Sequence, residues 1–176
     1  DFRTKDQYFD LSFSGLFAPD VNALEEQAFQ GTLFTTDEAD AEKVEDILVA
    51  KQAGKDLAIE WTHDGEGREH IFTIQNIARG NAASTVALSW NGRPLNVDLK
   101  GDRDIEVPAL GDFKVTEVSV VRGQDQYILL NFSDPLRENQ DLNGLITMPD
   151  FNGNFRFIIE SNQVRVYPST RVVGDR

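Results

Sequence analysis

The chain has 176 residues, 40 % of them apolar and 27 % charged, and its formal net charge is −13. Such a composition belongs to a folded globular chain, but 17 Lys and Arg against 30 Asp and Glu leave no basic surface to displace counterions from nucleic-acid phosphates. With no cysteine, disulfides, thiolate metal sites, cysteine nucleophiles and thioesters are excluded within these residues, and no apolar run reaches the roughly 18 residues of a membrane-spanning helix.

The chain opens with Asp1-Phe2-Arg3-Thr4-Lys5, which is not an export signal, so any such signal is expected to have been removed. Alternation with a period of two then dominates, the pattern of half-buried strands. Phe9, Leu11 and Phe13 alternate with polar residues, and Phe29, Gly31 and Leu33 repeat the pattern more weakly. From Asp37 to Lys51 the period lengthens to three or four. Val44, Ile47 and Leu48 then share a face, Thr36 or Asp37 is placed as N-cap, and Gly54 is placed to stop the helix. A short amphipathic helix is expected there.

Leu57, Ile59 and Trp61 resume the alternation, and Asp64-Gly65-Glu66-Gly67 supplies a turn into Ile71-Phe72-Thr73-Ile74, so a hairpin is predicted. Val86, Leu88 and Trp90 stop at Asn91-Gly92, Leu95, Val97 and Leu99 return as a strand, and Ile105 and Val107 end at Pro108. Beyond Gly111, strands are predicted around Phe113, Val115, Val118 and Val120, and over Gln126–Phe132, with Gly123-Gln124-Asp125 turning between them. Asp134-Pro135-Leu136 halts the second of these, Asp141–Ile146 is a connector or short strand, and Phe155, Phe157 and Ile159 turn at Ser161-Asn162 into Val164 and Val166.

Charge divides the chain in the same place. Residues 1–108 hold 10 basic and 21 acidic residues, whereas residues 109–176 hold 7 and 9. The expected fold is all-β: tandem immunoglobulin-like antiparallel β-sandwiches, with one short helix in the first. The first unit is residues 1–110, with some seven strands. The second is residues 111–176, with about five, and looks incomplete.

Few residues invite chemistry. His63 and His70 flank the predicted turn, where they would share a divalent metal with Asp64 or Glu66 in a metal-dependent hydrolase; the plainer reading makes them solvated hairpin-end residues. The acidic run Asp37–Asp46 reads as the solvent face of the helix, or else as a docking patch for a basic partner. Lys100-Gly101-Asp102-Arg103-Asp104 offers oxygens to Ca²⁺ but lacks the spacing of an EF-hand loop. Trp61 and Trp90 would stack on a sugar if exposed, yet each is in phase with aliphatic neighbours and is expected in the core. G-x-S-x-G, G-x-G-x-x-G and P-loop motifs are absent. No catalytic, cofactor-binding or metal residue is therefore assigned, and no cofactor is expected.

Three stretches are informative together. They are Gln126-Tyr127-Ile128-Leu129-Leu130-Asn131-Phe132-Ser133-Asp134-Pro135-Leu136 with Gln140-Asp141-Leu142-Asn143-Gly144-Leu145-Ile146; Ile105-Glu106-Val107-Pro108-Ala109-Leu110-Gly111-Asp112-Phe113; and Phe34-Thr35-Thr36-Asp37-Glu38-Ala39-Asp40-Ala41-Glu42-Lys43-Val44. In these the chain resembles the N-terminal macroglobulin-like domains of bacterial alpha-2-macroglobulins, in particular the Bacteroides-type form. The resemblance covers most of the chain, and the first stretch is its most specific part.

The resemblance implies an envelope-bound protease trap built from macroglobulin-like domains, of which this chain would be a non-catalytic N-terminal scaffold. Its partners would be later domains of the same protein, with proteases the targets of the whole. It would lie in the periplasm or cell envelope of a Gram-negative bacterium and touch the membrane only through an upstream lipid anchor. The alternative is an independent extracellular module binding carbohydrate or a surface protein.

Overall fold

The computed structural model describes residues 7–121, 125–149 and 151–170. It is mostly β: three four-stranded antiparallel sheets and one short helix, about 5 % helical. The first sheet joins β1 (Phe9–Phe17), β2 (Glu26–Thr35), β6 (Glu69–Ala78) and β5 (Ile59–His63) in the order β1-β2-β6-β5. In the second, β4 (Lys55–Asp56), β3 (Leu48–Gln52), β7 (Ser84–Asn91) and β8 (Lys100–Val107) lie in the order β4-β3-β7-β8. The third consists of β9 (Val115–Val121), β10 (Tyr127–Phe132), β11 (Phe155–Glu160) and β12 (Gln163–Pro168), in the order β11-β12-β10-β9.

The first two sheets share one core. Phe9, Phe29, Leu33, Phe72 and Ile74 come from the first, Leu48, Val86, Leu88, Ile105 and Val107 from the second, and all are buried. Removing these side chains from water is the main force holding the two sheets together. Two glycines make room for aromatic rings across strand pairs. Gly31 lies opposite Phe72, and a Cβ on Gly31 would come within 2.4 Å of the Phe72 ring; Gly101 lies opposite Trp90, and its Cβ would meet that indole at 2.4 Å. The weak alternation at Gly31 is thus a fitted cavity for a ring. Gln52 ties the sheets by their polar edges, since its amide donates to the Ala78 carbonyl (2.7 Å) and accepts from the Ala78 N–H (2.9 Å).

The predicted helix over Asp37–Lys51 shrinks to one turn, α1 (Ala41–Glu45), capped by Asp40 rather than Thr36 or Asp37, with its carboxylate accepting from the Glu42 N–H. Leu48 and Ala50 instead point inward from β3, while Val49 and Lys51 face out. Ala53 and Gly54 both have positive φ (49° and 77°) and form the two-residue turn between β3 and β4. Gly54 is thus a hairpin residue, because the primed turn matches the twist of the strands. Leu95, Val97 and Leu99 are also not a strand. Arg93–Leu95 form a 3-10 turn with Pro94 in its first positions, Asn96 takes φ 58°, and β8 starts only at Lys100. Leu95 and Val97 are buried all the same. The described residues thus hold eight strands before Pro108, where some seven were expected, and four after it, where about five were expected.

The third sheet has its own smaller apolar cluster. Val164, Val166 and Leu142 are buried, and Ile128, Leu130, Phe157, Ile159, Leu136 and Ile146 pack around them. Residues Asp141–Ile146 form turns, not a strand, and press Leu142 onto the sheet. The proposed turn at Gly123-Gln124 lies outside the described residues. Phe113, Val115, Val118 and Val120 remain largely exposed, at 44–56 %, although Phe113 stacks on Phe132.

Candidate functional site: a buried polar junction

The third sheet meets the first two through a compact set of polar side chains, built around the stretch Asn131–Asp134 at the end of β10. Its centre is Arg79, just past β6. After the bulge at Asn76 (φ 55°), Ile77 and Arg79 continue the inward phase of the strand. Ile77 enters the core, whereas Arg79 turns toward the third sheet with its side chain fully buried.

A guanidinium in such a place needs a partner for each N–H. Arg79 has them. Nε donates to the Pro108 carbonyl (2.9 Å), Nη2 to the Ala109 carbonyl (2.9 Å), and Nη1 to the Ser133 carbonyl (3.1 Å). The remaining two donors grip Asp134 in a fork, Nη1 to Oδ1 at 2.8 Å and Nη2 to Oδ2 at 3.0 Å. This geometry, with Arg79 as the leading cause and the Ser133 hydroxyl beside it, holds the Asp134 carboxyl below its ordinary pKa despite partial burial.

The surrounding groups are engaged as well, although Gln27 Oε1 and Asn131 Oδ1 are buried without a partner. The Gln27 amide donates to the same Ser133 carbonyl at 3.0 Å. The Ser133 hydroxyl accepts from the Lys114 N–H (2.9 Å) and lies within reach of two acceptors, the Asp112 carbonyl and Asp134 Oδ2. Asn162, in the β11–β12 turn, donates to the carbonyls of Leu16 and Phe132, both at 2.8 Å. Asn131 donates to the Ser14 carbonyl.

Gly15 makes that approach possible. It sits at a bulge in β1 with φ +103°, and a Cβ there would lie 3.0 Å from both Asn131 Nδ2 and Glu117 Cβ. Arg103 of β8 completes the join, stacking over Phe13 at 4.5 Å and pairing with Glu117 of β9.

Sequence reasoning treated Asp134-Pro135 as a strand stop and overlooked Arg79, Gln27, Asn131 and Asn162. The available signal was phase at one position: Arg79 follows Ile77 where alternation calls for an apolar side chain, whereas Asn131 and Ser133 fall on the polar phase of β10, alternating with Leu130 and Phe132.

The residues singled out from sequence lie elsewhere. Trp61 packs against Phe72 (5.5 Å between ring centres) and stacks on His63, while Trp90 lies over Gly101 beside Phe13. Both indoles are only half-buried, but each packs against the core, so they form no open aromatic platform.

His63 and His70 face each other across β5 and β6 with Nδ1 atoms 2.8 Å apart. His70 is fully buried, which corrects its reading as a solvated hairpin end. Asp64 accepts instead from the N–H groups of Arg68 (2.8 Å) and Glu69 (3.2 Å), and those two bonds lead in lowering its pKa. No group of three or more metal-ligating side chains gathers among the described residues, at the histidines or at Lys100–Asp104. The acidic run Asp37–Asp46 includes α1 and its cap, and within it Asp37 pairs with Arg68 and Asp40 with Lys43.

Comparison of the chain with protein-family models, with curated proteins and with solved structures returned no match.

Proposed function

We propose that this chain is a non-catalytic scaffold, the N-terminal macroglobulin-like portion of a bacterial alpha-2-macroglobulin-type endopeptidase trap. Residues 1–110 and 111–176 would be tandem β-sandwich units that set the position of later domains. One observation carries this reading. The stretch Phe132-Ser133-Asp134-Pro135-Leu136, the most specific part of the sequence resemblance, is also the stretch through which Arg79 joins the third sheet to the first two. A spacer needs a fixed angle between its parts, and a fully satisfied buried ion pair sets geometry more sharply than apolar contact does.

Spin labels at two exposed positions, Lys51 and Glu160, would test it through the distance distribution between them. A single narrow distribution is expected, broadening in Arg79→Ala; a broad distribution in the unaltered chain would overturn the spacer reading. In parallel, a panel of endopeptidases mixed with the chain alone should keep full activity. Stoichiometric inhibition by this chain, or saturable binding to a glycan array, would replace the scaffold with an independent inhibitor or a carbohydrate-binding module.

A further inference from the structure

The histidine pair is unused by the scaffold reading, and its geometry is unusual. His63 and His70 are directly opposed in register, their rings 5.0 Å apart and steeply inclined (67°). His63 Nε2 lies 3.2 Å from a Glu45 carboxylate oxygen of α1, and His70 Nε2 is buried with no hydrogen-bond partner. Only one proton fits between two Nδ1 atoms 2.8 Å apart. With both rings neutral, one arrangement satisfies the contacts: His70 donates through Nδ1 to His63, and His63 donates through Nε2 to Glu45. The cost is a bare lone pair on His70 Nε2, cheaper to bury than an orphaned N–H.

We propose that this pair is a proton-operated clasp that holds the His63 end of edge strand β5 onto β6 when neutral and releases it when both imidazoles are protonated. One added proton keeps the two rings joined: His63 then donates from both nitrogens, to His70 and to Glu45, and the His70 N–H moves to Nε2, where it is buried without an acceptor. A second proton places an N–H on both facing Nδ1 atoms. No hydrogen bond is then possible, two positive charges adjoin, and the rings must part.

The groups around His70 bear unequally on this step. From β5 it faces His63, and from the turn Asp64, whose charge favours protonation as does the Gly67 carbonyl. Its register partner on β2 is Leu33, which is apolar and buried. Glu45 of α1 acts through His63, and the Arg68 guanidinium is turned outward to Asp37. Burial and then the His63 charge prevail, and the His70 pKa lies below the ordinary histidine value. The stabilisation from neutral His70 is therefore complete above that ordinary value. It is lost as the pH falls through the lowered one.

The test is amide hydrogen exchange along β5, corrected for intrinsic rate, with imidazole carbon chemical shifts followed by NMR from pH 7.5 to 5. Protection of the Thr62 and Asp64 amides, whose N–H groups face β6, is expected to fall by about tenfold per pH unit once the second proton binds, in step with the His70 resonance. Protection in the first sheet at Phe29–Leu33 should hold. His63→Gln keeps a hydrogen-bonding partner for His70 but cannot be protonated, so the pH step should shrink to the part that burial of His70 alone imposes. Unchanged protection of β5 across the range would overturn the proposal, and so would a step of equal size in His63→Gln. Should that variant not fold, the shifts of the unaltered protein decide: two independent titrations without coupled exchange at β5 would also overturn it.

Discussion

The shared core of the first two sheets and the junction to the third sheet are held by different physics. The core closes by apolar burial, which is large, non-directional and tolerant of small shifts: Phe72 needs an apolar cavity more than a fixed angle. At the junction, Arg79, Asp134, Ser133 and Asn162 give less net stability per contact, but each bond has a required length and direction. Stability and orientation therefore reside in separate parts of this molecule and should fail separately.

Four changes would test that separation. Phe72→Ala should have the largest effect, a loss of about 4 kcal/mol in urea denaturation, because it empties a fully buried site between Gly31 and Trp61. Arg79→Ala should cost about 3 kcal/mol, since it strips Asp134 of its guanidinium partner and takes a donor from the carbonyls of Pro108, Ala109 and Ser133; unlike Phe72→Ala, it should broaden the distance between labels on the two regions. Its pH signature differs as well. The Asp134 carboxyl titrates below its unfolded value, so its contribution is present above that value and fades as pH drops through the folded one. In Arg79→Ala, acid unfolding curves should lose that component.

Gly15→Ala should be milder, about 2 kcal/mol, from a side chain forced to positive φ against Asn131 and Glu117. It should weaken the junction while exchange protection in the core stays as it was. The smallest effect expected is that of salt. The acidic first 108 residues repel one another, and raising NaCl from about 50 to 500 mM should lift their melting temperature by about 1–2 °C. A melt that is flat or falls with salt would show that the local pairs, such as Lys51–Asp56, outweigh the net charge.

Period-two alternation made most of the strands legible, and the hairpin turn at Asp64–Gly67 was readable from its glycines. The helix was over-read because Val44, Ile47 and Leu48 satisfy a period of 3.6 and equally the end of a turn followed by an inward strand residue. Tertiary pairing of β3 with β7 decided between them. The junction was not legible for a different reason. Arg79 lies 55 positions from Asp134, and local pattern carries no information about which distant polar groups will meet. What could be seen was only that Arg79 occupies a core-phase position without being apolar. The facing of His63 and His70 followed from the hairpin, but the complete burial of one ring did not.

Arg79 has a mechanical consequence as well. Its guanidinium holds the carbonyls of Pro108 and Ala109 as well as Ser133 and Asp134, so one side chain ties the start of the link between the second and third sheets to the end of β10. A tug on the third sheet therefore passes directly into β6 and the centre of the first sheet, and does not first straighten residues 108–112 as a slack tether would.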